Sequence, residues 1–363
     1  MGLFKAVKKP VIRQGSQGGE ISSQRPRYAP RPSPCGAACP VAEDVRGWLT
    51  TIGDAEAEGR SHEQAMEMAW QRITGRNPFP SVCGRVCSHP CEDRCHRSLK
   101  EGALAIQEVE RSVGDYGIRR GLKYAKPRPQ AASVAVVGAG PAGLSAAYHL
   151  ARRGYAVTVL ERSTHSGGAM RSAAGALPSE VVDAEIERIL EMGVVLRCGC
   201  EDTGAAALLA QFPAVVLASD VPDDTGGAGV FVAGEVTDLA QVATAISHGL
   251  TAAEDVDAYL RGVSVQKPVP RDPVAVDRGK LSWYKESPRQ QAADGFTEAQ
   301  TLEEAKRCMS CGMCMSCGNC WMYCTNGGFE KLPKGRRYKL KLDLCNGCNK
   351  CADSCPSGYI EMV

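Results

Sequence analysis

The chain has 363 residues, 44% of them hydrophobic, with 43 basic against 41 acidic side chains and a formal charge of +2. That length allows about two or three domains, and so even a balance excludes the strong positive field that a nucleic-acid partner requires. Eighteen cysteines in so long a chain exclude a small secreted disulfide scaffold and point to thiolate-bound metal in a reducing compartment.

The opening MGLFKAVKKPV lacks the apolar core of a signal peptide, and Ala6 breaks the myristoylation pattern. The one uncharged stretch long enough to mimic a membrane span, roughly 131–151, is interrupted by glycines and Pro141. The expectation is a cytoplasmic chain with no membrane span. Residues 1–34, rich in Lys, Arg, Gln, Ser, Gly and Pro, read as an extended arm, either a frayed tail or a strap lying on a partner.

Residues 35–125 read as a helical domain with short loops at its cysteines. Cys35 and Cys39 open it, and AEDVRGWLTTI (42–52) and EQAMEMAWQRIT (63–74) have amphipathic helical periodicity. Cys83, Cys87, Cys91 and Cys95 then follow at intervals of four. Prolines and a glycine there favour a coiled loop around metal over a core stripe. His89 and His96 lie among these cysteines without ligand spacing, and ordinary hydrogen bonding is expected of them. KPRPQ at 126–130 closes the unit.

SVAVVGAGPAGLSAAYHLARRGYAVTVLE (133–161) reads as strand, glycine turn, helix and strand. Gly138 permits the tight turn, Gly140 lets a pyrophosphate approach the backbone, and Gly143 lets the helix pack on the strand. Pro141 and Ala142 begin a helix whose free N–H groups favour phosphate. Glu161, with Arg162 after it, ends the second strand where a carboxylate takes ribose hydroxyls. The pattern predicts a dinucleotide site, common to FAD and NAD. Farther on, VVLRCGC predicts Cys198 and Cys200 as two small buried thiols on one strand face.

At the C-terminal end Cys314, Cys317, Cys320 and Cys324 repeat the C-x2-C-x2-C-x3-C spacing of Cys345, Cys348, Cys351 and Cys355. This is the two-cluster bacterial ferredoxin pattern, in which three cysteines of each run hold one cubane and the fourth reaches to the other. Cys314, Cys317, Cys320 and Cys355 are assigned to one 4Fe-4S cluster, and Cys345, Cys348, Cys351 and Cys324 to a second. Thr325 stands where a proline often follows the fourth cysteine, and no ligand is lost by it. Zinc and disulfides fit the spacing poorly, since zinc sites favour two separated ligand pairs. Between the runs, FEKLPKGRRYKLKLD reads as a hairpin with one charged face: Lys331, Lys334, Arg336, Arg337, Lys339 and Lys341. That face is either solvated or a docking patch for an acidic redox partner.

With these motifs in hand, the chain resembles the iron-sulfur flavoproteins built like the small subunit of glutamate synthase. The resemblance rests on NPFPSVCGRVC, the glycine fingerprint, SGGAMR (166–171), GVFVAGE (229–235) and FTEAQTLEEAKRCMSCG. It implies FAD, with Gly167, Gly168, Met170 and Arg171 beside the flavin and Gly234-Glu235 closing over the ribityl chain. Glu235 replaces the family's aspartate. The C-terminal module is similar to that of the flavoprotein partner of dissimilatory sulfite reductase. In the family a nicotinamide domain separates the two FAD segments; here only VPDDTGGA (221–228) lies between VVLASD and GVFVAGE, too short for a Rossmann half. The resemblance therefore implies an FAD domain without an NAD(P)H domain.

It also implies that one family cysteine motif is divided here between Cys308-x2-Cys311 and Cys35-x3-Cys39. Cys308, Cys311, Cys35 and Cys95 would then bind a third cluster. Cys39, Cys87 and Cys91 would bind a fourth, completed by Cys83 or Glu110. The expected architecture is multidomain: an arm (1–34), a helical iron-sulfur domain (35–125), an α/β Rossmann-like FAD domain (126–265), a linker (266–306) and an α+β ferredoxin-like two-cluster module (307–363). No acid, base or nucleophile constellation suggests substrate chemistry. The expected role is an electron-transfer subunit with FAD and four 4Fe-4S clusters, working with other subunits of a redox complex or a ferredoxin-like partner. A non-catalytic flavin scaffold and a flavin oxidoreductase with its own small substrate are the alternatives.

Overall fold

The computed structural model describes residues 22–172, 177–201, 204–218, 227–234, 238–265, 269–333 and 338–363. Strand β1 (Pro26–Tyr28) and helix α1 (Pro34–Ala38) lead into the helical unit: α2 (Val45–Gly53), α3 (His62–Thr74), α4 (Pro80–Val86), α5 (Pro90–Asp93) and α6 (Ile106–Arg119). Local chemistry fixes where these begin. Asp44 accepts from the Gly47 N–H at the head of α2, and Ser61 with Gln64 forms a reciprocal capping box on α3. The apolar faces meet in one core, burying Trp48, Leu49 and Ile52 of α2, Met66, Trp70 and Ile73 of α3, and Ile106, Val109 and Val113 of α6. Each such side chain contributes about 1.5–3 kcal/mol over its exposed state. Helices α4 and α6 touch backbone to backbone: a Cβ on Gly84 would lie 2.3 Å from Arg111 N, and one on Gly114 2.3 Å from Ser81 N.

The cysteine stretch 83–95 differs from its expectation as a coil. Pro80 and Pro90 start α4 and α5, where a missing N–H costs nothing, so Cys83 and Cys91 are helical.

The middle of the chain is a parallel sheet. Strands β2 (Ser133–Val137), β3 (Ala156–Glu161), β4 (Val195–Cys198), β5 (Ala214–Leu217) and β6 (Val230–Val232) stand in the order β4-β3-β2-β5-β6. Helix α7 (Pro141–Arg152) joins β2 to β3, and α8 (Ala169–Ser172) with α9 (Ser179–Leu190) joins β3 to β4. Helix α10 (Ala205–Leu209) precedes β5, and α11 (Val242–Arg261) packs along α7. Val134, Val136, Val215 and Val216 are fully buried, as strands covered on both faces must be. The order reverses at β2, the place where such sheets bind ligands beyond their strand C-termini.

The last unit begins with α12 (Glu298–Lys306), which lies against α2 and α6 of the helical unit. The stretch read as linker is therefore partly an ordered helix. Helix α13 (Asn319–Tyr323), the antiparallel pair β7 (Phe329–Glu330) and β8 (Lys339–Leu340), α14 (Lys350–Asp353) and β9 (Ile360–Met362) follow. Strand β9 pairs antiparallel with β1, setting Tyr28 opposite Ile360 and Pro26 opposite Met362. Glu361 binds Arg31 at 2.6 Å, Arg278 at 3.1 Å and Arg27 at 3.2 Å, and the Arg31 contact above all holds its carboxyl below the usual range. The described part of the N-terminal arm is thus strapped to the far end of its own chain.

Candidate cluster and dinucleotide sites

Twelve of the cysteines stand around three cavities. Among the described residues no three His, Cys, Asp or Glu side chains converge to hold a single metal ion. A cubane needs ligands spread around a body rather than a point, and the grouping of thiols follows that demand. Cys314, Cys317, Cys320 and Cys355 line one cavity with Tyr28, Met315 and Tyr359. Cys324, Cys345, Cys348 and Cys351 line another with Phe329 and Met362. Each fourth cysteine has crossed to the other run's cavity. Gly328 N–H donates to Cys324 Sγ at 3.1 Å, Tyr359 N–H to Cys355 Sγ at 3.3 Å and Gly347 N–H to Cys345 Sγ at 3.4 Å. The donor set fits two cubanes.

A third cavity is lined by Cys35, Cys95, Cys308 and Cys311, with Arg46, Leu49, Arg97 and Met309. These cysteines come from opposite ends of the chain, and charged side chains hold the junction. Arg46 donates to the Cys311 carbonyl at 2.6 Å, and Arg97 to the Arg307 carbonyl at 2.7 Å. Arg307 pairs with Glu304 at 2.5 Å and donates to the carbonyls of Gly102, Ala103 and Ser287. Burial pushes the Cys311 thiol up to about 12 and raises Cys308 well above its ordinary value. Free thiols here would be protonated, whereas metal ligation would keep such a site anionic.

Cys39 caps α1 one turn after Cys35, so that one short helix serves two sites. Burial raises the thiols of Cys39, Cys87 and Cys91, and the charge of Glu110 on α6 raises each further, behind Glu43 at Cys39. Glu110 is itself raised well above the carboxylate range, first by burial and next by Glu43, and accepts from Asn77 Nδ2 at 2.8 Å. Cys83 is 2% exposed and belongs to the apolar core. His89 and His96 are not brought together: His89 Nδ1 lies 2.9 Å from the Cys87 carbonyl, and His96 lines the third cavity.

The glycine turn has the expected form. Gly138 has φ +101°, Gly140 caps α7 ahead of Pro141 and Ala142, and a Cβ on Gly143 would fall 1.9 Å from the Gly138 carbonyl oxygen. A Cβ on Gly140 would meet no atom within 4 Å, which leaves the approach open. Glu161 is buried and accepts from Ala139 N–H at 2.6 Å and Ser163 N–H at 2.9 Å. Its carboxylate thus braces the turn, with lone pairs left for hydroxyl donors. Arg162 beside it is exposed. Gly167 N–H donates to the Ala139 carbonyl at 2.7 Å, and a Cβ on Gly168 would lie 3.0 Å from Gly140 Cα, so that turn covers the glycine loop. Met170 is buried, while Arg171 pairs with Asp183 and the Ser166 carbonyl. The Gly234 carbonyl lies 3.0 Å from His248 Nδ1; Glu235 lies outside the described residues.

One expectation is corrected. Cys198 is exposed and Cys200 half-buried, because β4 is the outermost strand and ends at Gly199, φ +70°. The basic hairpin forms, but Lys331 lies 5.8 Å over the Trp321 ring and Lys341 pairs with Glu330 at 3.2 Å. Lys339 is exposed, and Lys334, Arg336 and Arg337 lie outside the described residues. Sequence reasoning missed Glu304, Arg97 and Arg46. The i,i+3 spacing of Glu304 and Arg307 was a local signal for one pair; the other two act at long range.

Two stretches of the chain match known family models. Residues 23–122 match the family model described as dihydropyrimidine dehydrogenase domain II, 4Fe-4S cluster, and residues 136–192 match the NAD(P)-binding Rossmann-like domain. The chain is 35% identical to the NADP(+)-dependent formate dehydrogenase subunit beta of Moorella thermoacetica, over 45% of this chain and 26% of that protein. It is 34% identical to the NAD-dependent dihydropyrimidine dehydrogenase subunit PreT of Salmonella typhimurium, over 51% and 45% respectively. It is also 34% identical to the NADPH-Fe(3+) oxidoreductase subunit beta of Geobacter sulfurreducens, over 51% and 28%. The chain spans less than half the length of these relatives. It combines a 4Fe-4S domain with a Rossmann-like dinucleotide domain, as an iron-sulfur oxidoreductase subunit does. The expectation that it takes no NAD(P)H gains no support, since the matching Rossmann-like model is described as NAD(P)-binding. Among the described residues no helix is long and apolar enough to cross a membrane.

Proposed function

We propose that this chain is an electron-transfer subunit of a redox complex, relaying electrons between one FAD and four 4Fe-4S clusters. The observation that carries the reading is the order of the cysteine sets. Ser88, beside Cys87, donates to the Ala240 carbonyl at 3.1 Å, so the Cys39–Cys87–Cys91 set borders the dinucleotide unit. Helix α1 joins that set to Cys35 and its partners. Cys311 and Cys314 then stand three positions apart in neighbouring sets, and Cys324 and Cys355 interlock the last two. Each set thus adjoins the next, from the dinucleotide unit to the last cavity. The fourth corner of the first set is assigned to Glu110, whose charge raises the thiols of Cys39, Cys87 and Cys91, with Cys83 as the alternative ligand.

FAD exchanges electrons in pairs and each cluster exchanges one, so together they join two-electron to one-electron chemistry. This chain's residues bind, space and insulate the groups. Gly140 and the head of α7 would take the pyrophosphate, and Glu161 the ribose side of the turn. Anaerobic purification, heat release of the bound nucleotide and chromatography test the reading together with a redox titration. FAD and about sixteen irons per chain, with flavin and clusters filling in one connected titration, are expected. Release of a nicotinamide nucleotide alone, or iron near eight, would refute it. A flavin that titrates independently of the clusters would favour the scaffold reading, and one bleached directly by a metabolite would favour a substrate of its own.

A further inference from the structure

The segment between α11 and α12 contributes one aromatic side chain to the cysteine-rich interior. A single turn, Leu281–Trp283, delivers Tyr284, which is 7% exposed. Its hydroxyl donates to the Met309 carbonyl at 2.7 Å and lies 3.6 Å from Met315 Sδ. Met309 lines the cavity of Cys35, Cys95, Cys308 and Cys311, and Met315 lines that of Cys314, Cys317, Cys320 and Cys355. The one hydroxyl thus touches the wall of both. The covalent route between the cavities is the detour through Gly312 and Met313, where Gly312 has φ +73° and donates to the Ser357 carbonyl.

We propose that Tyr284 is the positioning residue that couples these two centres, its ring and hydroxyl forming the packed path by which an electron crosses between them. The inference rests on the cluster reading above. With both clusters bound, one electron would pass from the reduced cluster on one side to the oxidised cluster on the other. No bond forms or breaks, and the phenol is neither oxidised nor deprotonated. Burial above all pushes the Tyr284 hydroxyl far up from its ordinary value. Packed contacts carry such coupling and a gap forfeits them.

The test is rapid freeze-quench paramagnetic resonance on the full chain, with electrons supplied by a reduced ferredoxin or dithionite. Wild type, Tyr284→Phe and Tyr284→Leu would be compared, with iron content and the midpoint potentials of each cluster measured alongside. Tyr284→Leu should slow passage between the two cluster pairs on the order of tenfold, because it opens a gap in the contact path. Tyr284→Phe, which keeps the ring but loses both hydroxyl contacts, should slow it severalfold. Potentials and iron content should stay at wild-type values. A wild-type rate in Tyr284→Phe with full iron overturns the proposal, even if Tyr284→Leu fails to load. So does slowing accompanied by shifted potentials, since that reports a structural effect. Missing iron or missing N-terminal signals in the wild-type chain would defeat the cluster reading instead, and the two failures are distinguishable.

Discussion

Replacing Glu304 by glutamine should loosen the junction between the two ends of the chain. Glu304 has no exposed surface, and its carboxylate accepts from Arg307 at 2.5 Å, Gln290 N–H at 2.8 Å and Ala105 N–H at 2.7 Å. Glutamine keeps the shape but leaves the 1%-exposed Arg307 guanidinium without its partner and turns an amide donor toward other donors. Breaking one member of a buried pair costs about 3–5 kcal/mol. The lower end applies here, about 3 kcal/mol, because Glu101 stays 3.6 Å from Arg307. Anaerobic guanidinium unfolding followed by helical circular dichroism would measure it. The double variant Glu304→Gln/Arg307→Met should cost less than the two single variants summed, by about 1–3 kcal/mol for neighbours in one network. A loss under about 1 kcal/mol, or strict additivity, would refute the pair's part in holding the junction.

Cys308→Ser should remove the paramagnetic signal of one N-terminal cluster and leave the two C-terminal signals intact; loss of a C-terminal signal would mean the cysteine register at 308–324 is wrong. Glu110→Ala should cost the Cys39–Cys87–Cys91 cluster its irons, whereas Cys83→Ala should retain them and lose only core packing, both read by iron analysis. His149 is buried with its Nε2 2.9 Å from the Arg76 carbonyl, and burial above all holds its pKa near 3, down from 6.5. The folded form therefore resists a proton that the unfolded chain takes up, so its contribution is intact above pH 6.5 and lost as pH falls toward 3. His149→Gln should flatten that acid arm of the melting temperature against pH, and an unchanged profile would show that other groups carry it.

The most legible features were those written locally. Strand, glycine turn and helix occupy consecutive residues, so Gly138, Gly140 and Gly143 announce themselves, and cysteines three apart in each C-terminal run gather around shared cavities as their spacing suggests. The errors arose where position in the sheet or chain topology decided the outcome. VVLRCGC looks like a buried strand from its own residues; only the sheet order makes it an edge, with Cys198 open to solvent. The prolines at 80 and 90 read as interruptions because a proline's meaning depends on whether a helix begins or continues there. Pairing of Pro26–Tyr28 with Ile360–Met362 had no local mark at all, being a three-residue ladder between chain ends.

The divided cluster site shows why such long-range contacts matter to the chemistry. Cys345, Cys348 and Cys351 are close in sequence, so gathering them costs about 1.6 kcal/mol of loop entropy on the logarithmic estimate, apart from a constant. Bringing Cys95 to Cys308 closes a loop across 213 positions (308 minus 95) and costs about 5 kcal/mol on the same estimate. The difference, about 3 kcal/mol, matches what a single buried ion pair loses when broken. The contacts around the third cavity therefore supply a closure that cysteine spacing cannot. Arg46 on Cys311, Arg97 on Arg307, Glu304 on Ala105 and β1 on β9 join the two ends of the chain through protein alone. In the proposed cluster reading, iron would add its ligation energy to a site already assembled, while the C-terminal pair would need only its own spacing. Variants at the junction should consequently release iron from the divided site before either of the C-terminal sites, and simultaneous loss from all sites would show that the closure is shared by the whole fold.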